Sequence, residues 1–318
     1  MQNTTKAQAH PNIALVKYWG KQDKQGNLPA TPNLSITLSN LTTTTEVQNK
    51  QNGTADEFHL NGEQVEDDKL HGWLQTLRKH FDVPAVVIKS ANNFPTSAGL
   101  ASSASGFAAL ITAINTHCDL GLNEEMRSNW ARQGSASAAR SIHGGFVALV
   151  PPQWEAMRLA PSAHWPLEVV VAVTSRAAKS VNSTQGMQRS KRTSPFYNAW
   201  LRGAADDYSA ASEAISTRNF TQLAEVAELS CLKMHSLMLT SIPTLSYWTP
   251  ASVACMDCIR NLRDQGHQVF FTVDAGPQIK AVCTAESRSA VSAALAQVPG
   301  VLEIIDCGLG EGARIIDQ

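Results

Sequence analysis

The stretch Pro95-Thr96-Ser97-Ala98-Gly99-Leu100-Ala101-Ser102-Ser103-Ala104-Ser105-Gly106 limits the fold of this chain more than any other. It is a loop of small residues that runs straight into a helix. From Ser103 onward, Phe107, Leu110, Ile111 and Ile114 recur at i, i+3, i+4 and i+7, one apolar helical face. Ahead of the loop, Ala85-Val86-Val87-Ile88 is a β-branched run ending at Lys89, which predicts a buried strand. A strand, a small-residue loop and a helix in that order present free backbone N–H groups, hydroxyls and the positive end of a helix dipole. Such an arrangement suits a phosphate. Ser102 or Ser103 capping a packed helix explains the same residues equally well.

Composition narrows the partners. With 43% apolar and 17% charged residues and a formal net charge of −1, the chain has no strong positive field to hold a polyanion. Its one basic cluster, Arg189-Ser190-Lys191-Arg192, reads as solvated surface. The start, Met1-Gln2-Asn3-Thr4-Thr5, lacks an apolar signal core, and no run approaches about 18 uninterrupted apolar residues. The expectation is a soluble, cytoplasmic protein with no nucleic-acid or membrane partner. Six cysteines scattered through apolar surroundings suit buried thiols, and the Cys255-x-x-Cys258 pair lacks the second pair that a zinc site needs. No His-x-x-x-His or His-Glu-x-x-His spacing occurs, so no protein-only metal site is expected.

Taken in order, Ala9 to Lys21 holds an apolar strand, Ile13 to Val16, that delivers Lys17-Tyr18-Trp19-Gly20-Lys21 into a turn. Long cations and hydrogen-bonding aromatics at a turn suit an anionic ligand, although an amphipathic strand end would carry some of the same residues. Asn33 to Ser39 alternates strictly, predicting a half-buried strand, with Thr42 to Val47 pairing to it across Asn40-Leu41. Asn61-Gly62 predicts a hairpin within Glu57 to Val65, and Leu70, Trp73, Leu74 and Leu77 predict a helix over 68–80. A helix over 123–133 leads to Ser135-Ala136-Ser137-Ala138-Ala139-Arg140-Ser141, whose two hydroxyls and arginine could hold a phosphate or carboxylate. A tightly packed small-residue helix is the bland alternative. Strands follow at 146–150 and 167–173. The polar stretch Lys179 to Arg192 places a domain boundary near residue 180, giving domains 1–180 and 181–318. Helices are predicted over 195–216, 220–239, 251–263 and 287–296. Strands are predicted at 268–273, 279–283, 301–305 and 313–316, and the first of these ends in Asp274-Ala275-Gly276-Pro277. Helices on one side of antiparallel sheets make the class α+β.

Two phosphate signatures are excluded. Gly99 is not followed by Lys-Ser or Lys-Thr, and no Gly-x-Gly-x-x-Gly opens a βαβ unit. The chain instead resembles the superfamily of small-molecule kinases that includes galactokinase, homoserine kinase, mevalonate kinase and phosphomevalonate kinase. Within it the likeness is to the diphosphomevalonate decarboxylases. The likeness rests on Asn12 to Lys21, Pro95 to Ser105, Ser135 to Arg140, Ser183-Thr184-Gln185-Gly186-Met187 and Asp274 to Pro277, in the family's order. Two positions depart from the pattern: Ala136 stands between the serines where the family usually has glycine, and Gln278 replaces an asparagine.

This resemblance implies a two-domain fold, ribosomal-protein-S5-like at the N-terminus and a ferredoxin-like α/β sandwich at the C-terminus. It implies an ATP-dependent decarboxylation of 5-diphosphomevalonate through phosphorylation of its 3-hydroxyl, with Mg²⁺ and a homodimeric assembly. Asp274 is then the expected base or orienting group, Lys17 its charge partner, and Arg140 the group that orients the carboxylate that is lost. The resemblance assigns substrate contacts to Tyr18, Trp19, Gly20, Lys21, Lys69, Ser135, Ala136, Ser137, Ala138, Ala139, Arg140, Thr184 and Met187. It gives the ATP phosphates to Pro95, Ser97, Ala98, Gly99, Leu100, Ala101, Ser102 and Ser103, with Mg²⁺ held largely by nucleotide oxygens and the Ser103 hydroxyl. The other readings are a relative acting on 5-phosphomevalonate, a mevalonate 3-kinase that does not decarboxylate, and a catalytically silent sensor of isoprenoid intermediates.

Overall fold

Alternating and β-branched runs, punctuated by Gly, Asn and Pro turns, form strands that sort into three sheets. The computed structural model describes residues 4–22, 26–51, 53–94, 102–177 and 179–317. Its strands are β1 (Thr4–Ala9), β2 (Asn12–Val16), β3 (Asn33–Thr37), β4 (Thr43–Asn49), β5 (Glu57–Leu60), β6 (Glu63–Gln64) and β7 (Val86–Asn92). They continue with β8 (Phe146–Val150), β9 (Glu155–Ala160), β10 (Glu168–Val173), β11 (Val269–Thr272), β12 (Ile279–Cys283), β13 (Glu303–Gly308) and β14 (Arg314–Asp317). The helices are α1 (Asp68–Arg78), α2 (Ser102–His117), α3 (Glu124–Gly134), α4 (Ala138–Ser141), α5 (Ser183–Thr193), α6 (Tyr197–Thr217), α7 (Phe220–Leu239), α8 (Pro250–Asp264) and α9 (Ala285–Ala296).

The sheet orders are β14-β1-β4-β7-β5-β6, β2-β3-β8-β9 and β11-β12-β10-β13. Among the described residues, β5 with β7 is the one parallel pairing of named strands. The architecture is α+β, as the patterning predicts. Helix α2 is buried along most of its length, from Ala104 to Ile114, against the first sheet and α3. Its alanines permit close approach, while Phe107, Leu110, Ile111 and Ile114 each contribute about 1.5–3 kcal/mol by burial. Helices α6 and α7 pack on β2 and β3, and one core cluster runs from those strands to β10, β11 and β12. Strands β2 and β11 are thereby brought together, and each ends in a functional residue.

Three expectations change. Asn33 to Ser39 and Thr42 to Val47 do not pair: β3 lies between β2 and β8, and β4 between β1 and β7. Nor is β3 half-buried, because all of Asn33–Thr37 is buried and its polar face points inward. The polar stretch around residue 180 contains helix α5, capped by the Asn182 side chain, which accepts from the Gln185 N–H. Its apolar content is too low to show a helical period; only Met187, Gly186 and Ser190 are buried. Strands β1 and β9 were not anticipated. The Asn61-Gly62 hairpin and helix α7 fall where the pattern puts them. All six cysteines are free thiols.

Candidate active site

Lys17 follows β2 and Asp274 follows β11. The two strand ends are joined by the Thr272 hydroxyl, which donates to the Ala14 carbonyl at 3.1 Å. The Lys17 backbone N–H donates to Ser230 Oγ of α7 at 2.9 Å. The Lys17 ammonium then reaches Asp274 Oδ1 at 2.5 Å, and the Lys280 ammonium sits 3.3 Å from Oδ2. Both lysines are buried, whereas the Asp274 side chain keeps 24% of its surface open to the cavity. Burial by itself would raise the Asp274 pKa, but the two ammonium groups outweigh it and hold the carboxyl well below the usual range. The backbone around it is pinned. Val273 N–H donates to Cys231 Sγ at 3.2 Å, and His235 Nε2 donates to Val273 O at 3.2 Å. Behind the turn, the Gln278 side chain accepts from Thr174 N–H at 2.6 Å and donates to Ser175 O at 2.5 Å.

Arg140, at the end of α4, is buried and holds its guanidinium fork on neutral oxygens. Nε donates to Ser35 Oγ at 2.8 Å, Nη2 to Asn12 Oδ1 at 3.0 Å, and Nη1 to Asn33 Oδ1. Arginine has five N–H donors, so this arrangement leaves two for a ligand. Burial lowers its pKa to about 10, which still leaves it charged at neutral pH. The inward polar face of β3 thus exists to hold Arg140. A small cavity of about 140 Å³ brings Asn12, Lys17, Tyr18, Ser103, Ser137, Arg140, Lys179 and Asp274 together, with Trp19 and Met187 at its wall.

Other anticipated residues divide between places. Trp19 is buried, and its indole N–H donates to Ser190 Oγ at 2.9 Å, fastening α5. Gly20 has φ +133°, and a Cβ there would run into the Tyr197 hydroxyl, so no other residue fits this turn. Ser103, Ser135 and Ser137 form a chain of hydroxyls spaced 3.3 Å apart. Ala138 and Ala139 face two different apolar clusters, and Ala136 is buried; none of the three lines the cavity. Lys21 and Thr184 border a neighbouring cavity that shares Met187. Lys69 borders an adjoining cavity of about 230 Å³ that shares Ser103 with the first; its ammonium lies 5.0 Å over the Phe107 ring, and Phe58, Leu60, Leu70 and Ser102 also line it. Pro95, Ser97, Ala98, Gly99, Leu100 and Ala101 lie outside the described residues.

Sequence reasoning missed Lys280, Lys179 and the Asn12–Asn33–Ser35 trio. A lysine inside Ile279-Lys280-Ala281-Val282 was the available signal: a charge in an apolar strand is retained only with a partner. On β12, Lys280 lies opposite Thr272 of β11, two residues before Asp274.

His235 offers a check on this geometry. Burial pushes its pKa down to about 3, so it folds neutral. Below about pH 6.5 the unfolded chain takes up a proton that the folded chain refuses, so stability is lost as pH falls through that window. The denaturation midpoint of the wild type should fall on acidification, and His235→Gln should flatten part of that slope. Equal slopes in urea titrations would contradict the buried neutral assignment.

A carboxylate held between two buried ammonium groups beside a buried arginine can orient a hydroxyl for phosphoryl transfer, and comparison places the fold with the enzymes of the small-molecule kinase superfamily. The model of diphosphomevalonate decarboxylase-like N-terminal domains matches residues 9–155, and that of mevalonate 5-diphosphate decarboxylase C-terminal domains matches 169–307. The diphosphomevalonate decarboxylase of Candida albicans is 36% identical over 295 residues, covering 84% of this chain and 80% of that protein. A solved structure of MDDEF in complex with MVAPP, AMPPCP and magnesium superposes with TM-score 0.92 at 34% identity, covering 100% of both chains. The mevalonate diphosphate decarboxylase of Staphylococcus aureus superposes equally well, TM-score 0.92 at 34% identity, covering 100% of this chain and 99% of that one. This chain belongs to the diphosphomevalonate decarboxylase family.

Proposed function

We propose that the protein catalyses the ATP-dependent decarboxylation of (R)-5-diphosphomevalonate to isopentenyl diphosphate, CO₂, ADP and phosphate, a step of isoprenoid biosynthesis. The observation that carries this is the Lys17–Asp274–Lys280 cluster opening into the same cavity as Arg140. A tertiary 3-hydroxyl is a poor leaving group until it becomes a phosphate ester. The reaction then breaks the C3–O bond with its electrons going to phosphate, and the carboxylate C–C bond supplies the pair that forms the double bond.

Asp274 is held ionised, so it accepts the hydrogen bond of the 3-hydroxyl and aims the oxygen at the phosphoryl group. Its depressed pKa makes it a weak proton store, which suits phosphoryl transfer, where positioning outweighs base strength. Lys17 and Lys280 place positive charge beside the developing anions. The two spare N–H groups of Arg140 match a carboxylate, and the rigid fork orients it for loss as CO₂. Tyr18, Ser135 and Ser137 flank the substrate, and Lys21 and Thr184 hold its phosphates. Trp19, Gly20 and Met187 shape the wall, and Ala136, Ala138 and Ala139 pack the turn from behind.

ATP fits the cavity beside the start of α2. Phe58, Leu60, Leu70 and Phe107 offer an apolar slot for the purine, while Ser102, Ser103 and Lys69 approach the phosphates; the family likeness adds Pro95, Ser97, Ala98, Gly99, Leu100 and Ala101. Among the described residues no three His, Cys, Asp or Glu side chains gather into a metal site. Magnesium, which neutralises charge on the transferred phosphoryl, would rest on nucleotide oxygens and the Ser103 hydroxyl, as the family likeness implies. A division of labour between residues 1–180 and 181–318, and a cytoplasmic homodimer, are proposed on the family likeness; light scattering measures the latter.

The direct test supplies ATP, Mg²⁺ and, in turn, mevalonate and its 5-phosphate and 5-diphosphate. CO₂ and ADP in equal amounts with the diphosphate are expected. ADP without CO₂ would mark a kinase, CO₂ from the monophosphate would mark a phosphomevalonate decarboxylase, and neither product would mark a sensor.

A further inference from the structure

Beside the catalytic cavity lies another of about 310 Å³, bordered by Lys21, Gln22, Thr184, Gln188, Lys191 and Arg192, with Met187 common to both. Among the described residues, three of its lining groups are cations and none is a carboxylate. Among the described residues, no ion pair engages Lys21, Lys191 or Arg192. Lys21 donates to the neutral oxygens Asn27 Oδ1 at 2.6 Å and Thr184 Oγ1 at 3.3 Å. Lys191 and Arg192 occupy the last turn of α5, where basic residues commonly answer the helix dipole. Arg192 does so in part, its Nε donating to Gln188 O at 3.3 Å. Lys191 instead leaves its own helix and donates to the backbone oxygen of Lys21 at 3.2 Å. Three like charges gathered round one opening repel one another, and an anion seated between them relieves that repulsion.

We infer that Lys191 and Arg192, together with Lys21, seat the terminal phosphate of the substrate and select the diphosphate over the monophosphate. This rests on the reading of the reaction proposed above. With the carboxylate and 3-hydroxyl engaged by Arg140 and Asp274, the 5-substituent points past Tyr18 and Met187 toward α5. The first phosphate meets Lys21 and Thr184, and the second reaches the cavity that Lys191 and Arg192 border. A monophosphate stops short of those two cations, so they contribute to one substrate and little to the other.

The test is the double substitution Lys191→Gln/Arg192→Gln, both at exposed positions. Its KM for the diphosphate should rise about tenfold at moderate salt, the equivalent of two partly exposed charge-assisted contacts. The kcat, the KM for ATP and the KM for the monophosphate should move less than about twofold. Lys191→Arg should keep most of the wild-type KM. Arg189→Gln serves as a charge-matched control, because Arg189 turns away to donate to Pro243 O at 3.3 Å. An unchanged KM for the diphosphate, or an equal rise for both substrates or in the Arg189 control, would overturn the inference. Titration calorimetry with inorganic pyrophosphate tests the pocket without turnover, and the double variant should bind it about tenfold more weakly. Wild-type protein that releases no CO₂ defeats the proposed reaction; unchanged pyrophosphate binding defeats this site.

Discussion

Asp274→Asn should lower kcat by about three orders of magnitude while changing ATP affinity little, because the asparagine matches the shape but cannot carry the charge. Single-turnover ADP release and nucleotide titration separate the two effects. The substitution also leaves the Lys17 and Lys280 ammonium groups facing a neutral amide, at a stability cost of about 3 kcal/mol. Adding Lys280→Met should recover part of that stability and none of the activity, which distinguishes lost chemistry from a damaged fold. The pH dependence has a definite sign. The folded pKa of Asp274 is depressed, so its stabilisation is fully present above the unfolded value of about 3.9 and is lost as pH falls toward the folded one. Asp274→Asn should remove that acid limb. An asparagine variant that turns over at more than about a tenth of the wild-type rate would show that Asp274 is not the positioning carboxylate.

Arg140→Lys should prove anything but conservative, with kcat/KM falling by about two to three orders of magnitude. A lysine has one ammonium point and cannot span Asn12, Asn33 and Ser35 while still presenting donors to a ligand. The readout specific to orientation is stoichiometry. If Arg140 aims the carboxylate, ADP release in the variant should exceed CO₂ release, because phosphorylation of the 3-hydroxyl held by Asp274 continues while decarboxylation fails. Equal losses of both products would place Arg140 in general substrate binding instead. Arg140→Met should additionally destabilise the protein by about 3 kcal/mol, since it strands three buried acceptors.

Much of this was legible before any coordinates. Helix α7 showed its full length in its periodicity, and the Asn-Gly hairpin needed only two residues to place it. Lys17, Arg140 and Asp274 stood out because their residue types and neighbours matched one chemistry. Where reading failed, a local pattern had two physical causes. Strict alternation over Asn33–Thr37 looks the same whether its polar face meets water or a buried guanidinium. Helix α5 was invisible because its face toward the protein offers glycine, methionine and serine in place of an apolar stripe. Lys191 and Arg192 read as solvated surface, and both are exposed; what the sequence does not show is that they border one cavity with Lys21.

Sequence by itself pointed to the family, the α+β class and three residues, Lys17, Arg140 and Asp274, that the fold gathers into one cavity. A motif records which chemistry a short segment can supply. Tertiary structure alone decided that Lys280 completes the charge cluster and that Asn33 and Ser35 hold Arg140. Each of those facts depends on strands distant in the chain lying side by side. Burial then turns ordinary polar groups into partners, because in a dehydrated site every charge and donor must find its counterpart.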